Sequence, residues 1–224
     1  MPLPSGTSAA RWLLLSSACL AACRAAPAAA PQAPVEASAT IPVDDSLEGV
    51  LDQPAPPWTV SQWFNSEPRT LESLRGQVVL VRWFMGTSCP FCSGTAPTLR
   101  ALDETYRPRG LSVIGMYHHK EDLPLDPDQV AGWIKEYGYT FPVAIDPGWT
   151  TLQQWWLRGK ERSYTSVSFL LDKQGIVRRV HLGGLLAPQG PEYDALRADI
   201  ERLLAEPAAA AAAAQTTGTT PGGA

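Results

Sequence analysis

The sequence predicts an α/β domain with one central mixed β-sheet flanked by helices, and three patterns predict it. A β-branched apolar run, Gln77–Phe84 (QVVLVRWF), is bounded by Gly76 and Gly86 and has the length of a buried strand. Helical periodicity follows over residues 92–107, and a second apolar run, Leu111–Tyr117 (LSVIGMY), comes after it. Two extended runs joined by a helix make a right-handed parallel crossover. Farther on, Val167–Leu171 and Ile176–Leu182 flank Asp172-Lys173-Gln174-Gly175, a turn sequence that predicts an antiparallel hairpin. Parallel and antiparallel pairing together make the sheet mixed.

The other elements fall around this frame. The helix over 92–107 places Leu99, Leu102 and Tyr106 at helical spacing and is closed by Arg109-Gly110. A second helix is expected over 126–137, with Val130, Trp133, Ile134 and Tyr137 on one face, followed by a short strand, Phe141–Ile145. Asp146-Pro147-Gly148 is a turn signal, and a short helix is expected over 149–157. A final amphipathic helix over 190–205 carries Tyr193, Leu196, Ile200, Leu203 and Leu204. The order is a βαβ unit, an inserted helix and strand, then ββα, with no internal repeat.

Composition divides the chain of 224 residues. Residues 25–40 are mostly Ala and Pro, and 207–224 are Ala, Thr, Gly and Pro, too poor in large apolar side chains to offset ordering entropy. One domain is therefore expected over 47–206, with a low-complexity tail over 207–224. The net charge of −4 and the absence of a basic stripe argue against nucleic acid as a partner. The four cysteines do not form the framework of a small disulfide-stapled fold, because Cys19 and Cys23 lie in the N-terminal apolar stretch and Cys89 and Cys92 stand alone in the domain.

Residues 1–22 have the organisation of a secretion signal. Arg11 precedes an apolar run, Trp12–Leu20, that is too short to span a bilayer as a helix, and small residues follow. Leu20-Ala21-Ala22-Cys23 resembles a bacterial lipoprotein box, which implies cleavage before Cys23 and lipidation of its thiol. The alternative is an ordinary signal peptide with a chance cysteine. In the lipoprotein reading, residues 23–46 are a tether kept extended by Pro27, Pro31, Pro34 and Pro42. The domain then sits on the extracytoplasmic side of a bacterial membrane, and a monomer is expected.

The chemistry is concentrated in Cys89-Pro90-Phe91-Cys92. Cys89 follows the first core strand and begins a helix, where unsatisfied N–H groups and the positive end of the helix dipole favour a thiolate. Cys92 lies about one helical turn on. It can therefore attack a mixed disulfide formed at Cys89 and release the partner. Pro90 suits the first helical turn, where its missing N–H costs little. A structural disulfide gains little from so short a loop. A zinc site needs two more ligands, and the sequence has no second CxxC and no HxxxH. Redox exchange is the expected role, with Cys89 as nucleophile and Cys92 as resolving thiol, and no metal or other cofactor is expected.

The stretch GQVVLVRWFMGTSCPFCSGTAPTLRALDETY, beginning at Gly76, resembles the active-site region of TlpA/ResA-like thioredoxin-fold oxidoreductases, and Pro97 matches the proline five residues after the second cysteine. FLLDKQGIVRRVHLGG, residues 169–184, resembles that family's hairpin, strand and glycine pair. The resemblance implies a thioredoxin-like fold and exchange with extracytoplasmic protein thiols and disulfides, with re-reduction by an unidentified electron donor. Ser88 replaces the family's usual tryptophan, and Thr95 stands where an acidic residue is common. Thr165-Ser166 occupies the position of the cis-proline beside the cysteines. A cis bond before a residue other than proline costs about 2.5–4 kcal/mol, so a trans bond is expected at Ser166. The loop Arg158–Tyr164 is longer than usual.

Two other readings follow from related families. The peroxiredoxin branch of the AhpC/TSA group also lacks that proline, but it typically has arginine at the position of Ser166 and threonine at that of Gly86; Thr87 is one place off. Sco-type copper chaperones usually place three residues between their cysteines, where this chain has two. His118 and His119 follow the second strand at the sheet edge that also carries the cysteines. They are candidates for tuning the thiols or binding copper, although a solvated loop is the expected setting. His181 is assigned to a strand face. Trp149, Trp155 and Trp156 are expected to pack in the core rather than form a docking wall.

Overall fold

A computed structural model of the chain describes residues 42–207. Six strands form one mixed sheet: β1 (Trp63–Phe64), β2 (Val78–Phe84), β3 (Leu111–His118), β4 (Val143–Asp146), β5 (Ser168–Leu171) and β6 (Val177–His181). Their order across the sheet is β1-β4-β3-β2-β5-β6. The three central strands β4, β3 and β2 run parallel, whereas β1, β5 and β6 pair antiparallel with their neighbours. The predicted crossover is α1 (Pro90–Tyr106) and the inserted helix is α2 (Pro127–Tyr137). A short turn of helix, α3 (Thr150–Leu152), follows β4, and α4 (Pro191–Ala205) closes the domain.

The sheet separates two cores, and alternation along β2 assigns its side chains to them. Val78, Leu80 and Phe84 pack with Cys92, Ala96, Leu99 and Leu102 of α1, Val130 and Ile134 of α2, and Leu196, Ile200 and Leu203 of α4. Val79, Val81 and Trp83 face the other way, into Leu152, Trp155, Trp156 and Phe169. Because both faces are covered, β2 and β3 are buried along their whole length, which explains their continuous apolar runs. Helix ends follow ordinary capping rules. The side chain of Asp126 accepts the Asp128 N–H at the start of α2, and Gly138, at φ 68°, closes its end in a left-handed conformation.

Several details differ from the sequence reading. β1 was not anticipated, since two residues carry no periodicity. It is held by Trp63 and Phe64 pairing with Ala144 and Val143. β4 begins at Val143 rather than Phe141 because Pro142 interrupts the ladder. The short helix expected over 149–157 is broken into pieces. Gly148 and Trp149 both have positive φ, α3 covers three residues, and Gln153–Leu157 forms a π-helical turn. Asp146 organises this segment: its carboxylate accepts the Thr151 and Leu152 N–H groups, each at 2.8 Å, and the Trp83 indole N–H at 3.0 Å. Residues 43–46, expected at the end of the tether, are joined to the domain. Val43 bridges Glu161, Lys160 pairs with Asp44 at 2.6 Å, and the Arg162 guanidinium donates to the Ser46 carbonyl at 2.8 Å.

Candidate active site at the Cys89–Cys92 pair

β2 delivers the chain to the edge of the sheet, and five residues separate its end from the start of α1, with Cys89 as the helix N-cap. Cys89 has an extended backbone (φ −85°, ψ 108°), and Pro90 supplies the fixed φ of the first helical residue. The Cys89 sulfur accepts the Cys92 backbone N–H at 3.3 Å. The preceding turn needs a residue without a side chain at Gly86, where an added Cβ would lie 2.7 Å from the Trp133 ring. Trp133 is itself held against Tyr117, with ring centroids 5.6 Å apart. Pro97 lies inside α1 on its exposed side, where its lack of an N–H interrupts one helical hydrogen bond without burying the loss.

The two sulfurs occupy different environments. Both cysteines are free thiols; Cys89 is half-buried and Cys92 is buried, 1 % exposed. Burial, then a hydrogen bond from its thiol to Cys89, pushes the Cys92 thiol up to about 12, while a backbone hydrogen bond from Met85 and the charge of Arg82 act in the opposite direction. A partner approaching from solvent meets Cys89 first. Cys92 stays protonated at neutral pH until a bond forms at its neighbour.

The remaining expected site residues are placed as follows. Ser88 is exposed and its hydroxyl reaches Glu121 at 3.4 Å. Thr95 is buried in α1 and its hydroxyl accepts the Leu186 N–H at 3.0 Å, while Thr98 donates to the Leu186 carbonyl at 2.8 Å. The position that is often acidic in the related family therefore anchors the loop after β6. The Thr165–Ser166 peptide is trans, as expected, and Ser166 is buried. The link from this loop to the cysteines is Tyr164, whose ring meets the exposed Phe91 edge-on at 5.8 Å.

The expectation of a solvated loop fails for His118. It is the last residue of β3 and is fully buried, because the segment after β4 and the Thr165 loop close over it. Its Nε2 lies 2.9 Å from the Thr165 hydroxyl, and its ring meets Trp149 edge-on at 5.4 Å. Nδ1 has no well-formed hydrogen bond, although the Phe84 carbonyl favours the protonated ring. Burial, followed by the charge of Lys120, outweighs that effect and lowers His118 to about 3, so the ring is neutral. His119 points elsewhere: Nδ1 meets the Tyr117 hydroxyl at 3.0 Å and Nε2 the Leu123 carbonyl at 2.6 Å. Neither histidine hydrogen-bonds a sulfur, and no three His, Cys, Asp or Glu side chains cluster as a metal site among the described residues. Trp155 and Trp156 are in the core, as expected, and Trp149 is half-buried.

Sequence reasoning missed Arg82. It lies within the apolar run of β2, in register with Leu80 and Phe84, so it faces α1 and is 1 % exposed. The available signal was a lone cation in a strand predicted to be buried. In the sequence Tyr164 only ends a long loop.

A strand, a tight turn and a helix capped by the first of two cysteines, on a mixed sheet with an antiparallel hairpin at one edge, define a thioredoxin-like fold. Solved structures agree: a thioredoxin-like superfamily protein aligns with TM-score 0.58 and 28% identity, covering 70% of this chain and 99% of that one. A thiol-disulfide isomerase from Corynebacterium glutamicum aligns with TM-score 0.56 and 28% identity, over 68% of this chain and 98% of that one. The AhpC/TSA family model matches residues 51–180, and the chain belongs to the AhpC/TSA family. Among curated relatives, the protein DipZ of Mycobacterium bovis is 31% identical over 127 residues, 55% of this chain and 17% of DipZ. The thiol-disulfide oxidoreductase ResA of Halalkalibacterium halodurans is 26% identical over 123 residues, 55% of this chain and 64% of ResA. The chain thus spans less than two thirds of the length of either relative.

Proposed function

We propose that this chain is an extracytoplasmic thiol:disulfide oxidoreductase that acts on protein disulfides through Cys89 and Cys92. The observation that carries the proposal is the asymmetry of the pair: a half-buried cysteine caps a helix and a buried thiol lies one turn behind it. The reduced pair starts with Cys89 attacking a partner disulfide, which forms a mixed disulfide and releases one partner thiolate. Cys92 then attacks the Cys89 sulfur, the pair closes as a disulfide, and the second partner thiolate leaves and takes up a proton. A separate donor must return two electrons to the pair.

The names of ResA and of the Corynebacterium structure favour exchange chemistry. Two features of the site disfavour peroxide reduction. The position of the peroxiredoxin threonine is Gly86, packed under Trp133 with no room for a side chain, and that of its arginine is the buried Ser166. Copper delivery is disfavoured by His118, which is buried against Thr165 and Trp149. Cys23 lies outside the described residues, and no helix among those described is long and apolar enough to cross a membrane. A lipid on Cys23 is our reading of the Leu20-Ala21-Ala22-Cys23 box. It is checked by mass spectrometry of the mature N-terminus and by partition of the full-length protein with membranes.

The test of function is a trap. Cys92→Ser protein is expressed with its leader, and disulfide-linked complexes are isolated. The proposal expects extracytoplasmic proteins bound covalently at Cys89 and released by reductant. Rapid peroxide consumption with no protein adduct, or stoichiometric Cu(I) binding weakened by His118→Ala, would replace the proposal with one of the other readings.

A further inference from the structure

Among the described residues, Arg82 is a buried cation with no anion beside it. Its guanidinium donates to the Ser168 hydroxyl at 3.1 Å and to the Gly184 carbonyl at 2.8 Å, both neutral, and lies 3.4 Å from Nδ1 of His181. Nε has no partner, and no carboxylate touches the group among the described residues. Buried charges are ordinarily paired, because an isolated one loses its solvation with no return. The guanidinium cannot escape by giving up its proton at physiological pH, even though burial works against its charge. The nearest carboxylate in the network is Glu192, reached only through His181, whose Nε2 lies 2.9 Å from Glu192 Oε2. Since an arginine only donates, Nδ1 of His181 accepts and Nε2 carries the proton offered to Glu192. His181 and Glu192 line an open cleft of about 430 Å³, so this outer end of the network reaches solvent.

The inner end lies on the sheet face that α1 covers. Arg82 shares the β2 face of Leu80 and Phe84, and that face packs on Cys92 and Ala96 of α1. The groups able to carry negative charge that feel Arg82 are Cys92, Tyr139 and Cys89. Tyr139 is held neutral by its own burial. We infer that Arg82 is the fixed counter-charge of the redox pair, a positioning residue whose buried cation holds the negative charge that passes through Cys92 during resolution. The inference rests on the exchange reading of Cys89 and Cys92. In the resolving step the Cys92 thiol gives its proton to solvent, and its sulfur bonds to Cys89. The Cys89–partner bond breaks, and the leaving thiolate takes up a proton. Arg82 transfers nothing; it hydrogen-bonds neither sulfur and acts through its field. When the pair closes into a neutral disulfide, that field has no anion to stabilise. The resting dithiol, with Cys92 protonated, offers it none either, so Arg82 acts on the resolving step, when charge passes through Cys92, and speeds that step.

The groups that set the charge on Cys92 are Cys89 on α1, Arg82 on β2, and Tyr137 and Tyr139 at and beyond the end of α2. The test measures alkylation of Cys92 by iodoacetamide against pH in Cys89→Ser protein, with and without Arg82→Met, and the rate at which the intact pair releases glutathione from a mixed disulfide at Cys89. Arg82→Met is expected to slow Cys92 alkylation at least tenfold at pH 9 and to slow release of glutathione from the mixed disulfide about tenfold. Arg82→Lys keeps the charge and is expected to stay within about threefold of the parent. Folded Arg82→Met that matches the parent in both measurements overturns the inference and leaves the exchange reading intact. A parent pair that does not release glutathione from the mixed disulfide overturns both. If Arg82→Met does not fold, Glu192→Gln decides. It removes the distant anion at the solvent end of the network, so Cys92 alkylation at low salt should accelerate at least twofold; an unchanged or slower rate overturns the inference.

Discussion

His118 makes the stability of this domain depend on mild acid. In the folded protein its ring is sealed between Thr165 and Trp149 and stays neutral down to about pH 3, while in the unfolded chain it titrates near 6.5. Between those values the unfolded state binds a proton that the native state refuses. The contribution is complete above pH 6.5 and is lost as pH falls toward 3, at a slope of about 1.4 kcal/mol per pH unit. Counted from well above pH 6.5, the loss at pH 4.5 amounts to about 2.7 kcal/mol, a large part of the 5–15 kcal/mol typical of a domain. The perturbation is His118→Gln, which keeps a polar partner for Thr165 and removes the titration. The assay is urea unfolding of parent and variant at half-unit steps from pH 7 to 4.5. His181 and Asp146 also shift on folding, but they are common to both proteins, so the difference isolates His118. The variant, weaker at pH 7, should gain on the parent by about 2 kcal/mol or more at pH 4.5. Parallel stability curves would refute the buried neutral ring.

Three further outcomes follow from the geometry. Gly86→Thr places a side chain against the Trp133 ring and should destabilise the protein by about 1–3 kcal/mol in urea unfolding while slowing exchange, because the displaced turn carries Cys89. Asp146→Ala strands the Trp83 indole and the Thr151 and Leu152 N–H groups, and should cost about 3 kcal/mol or more in the same assay. In reduced parent protein at pH 7, brief alkylation followed by peptide mapping should label Cys89 well before Cys92, because the latter is 1 % exposed and its thiol lies near 12.

What could be read from the sequence was whatever repeats along the chain. β2, β3 and the hairpin were legible because burial on both faces writes itself as a continuous apolar run, and α1, α2 and α4 because one buried face recurs every three to four residues. The cysteine pair was legible from its place at a strand-to-helix junction. β1 was not, since a two-residue strand is specified by its partner β4 and not by its own pattern. The burial of His118 depends on a loop 47 residues away in sequence, and the setting of Arg82 on β6 and the glycine loop about 100 residues downstream. Such long-range contacts leave no local periodicity. Arg82 broke the apolar run of β2 and still had no local partner that would have explained it.

In the exchange reading, Cys89 reacts and Cys92 resolves. A single measurement addresses it: addition of a small aromatic disulfide to reduced Cys92→Ser and reduced Cys89→Ser proteins, with the intact mass recorded over time. A rapid, stable one-to-one adduct is expected on Cys92→Ser, a slow reaction on Cys89→Ser, and, for the parent, passage through the adduct to a Cys89–Cys92 disulfide that carries no added group. Equal adduct formation on the two variants, or a parent protein that keeps its adduct, would contradict it.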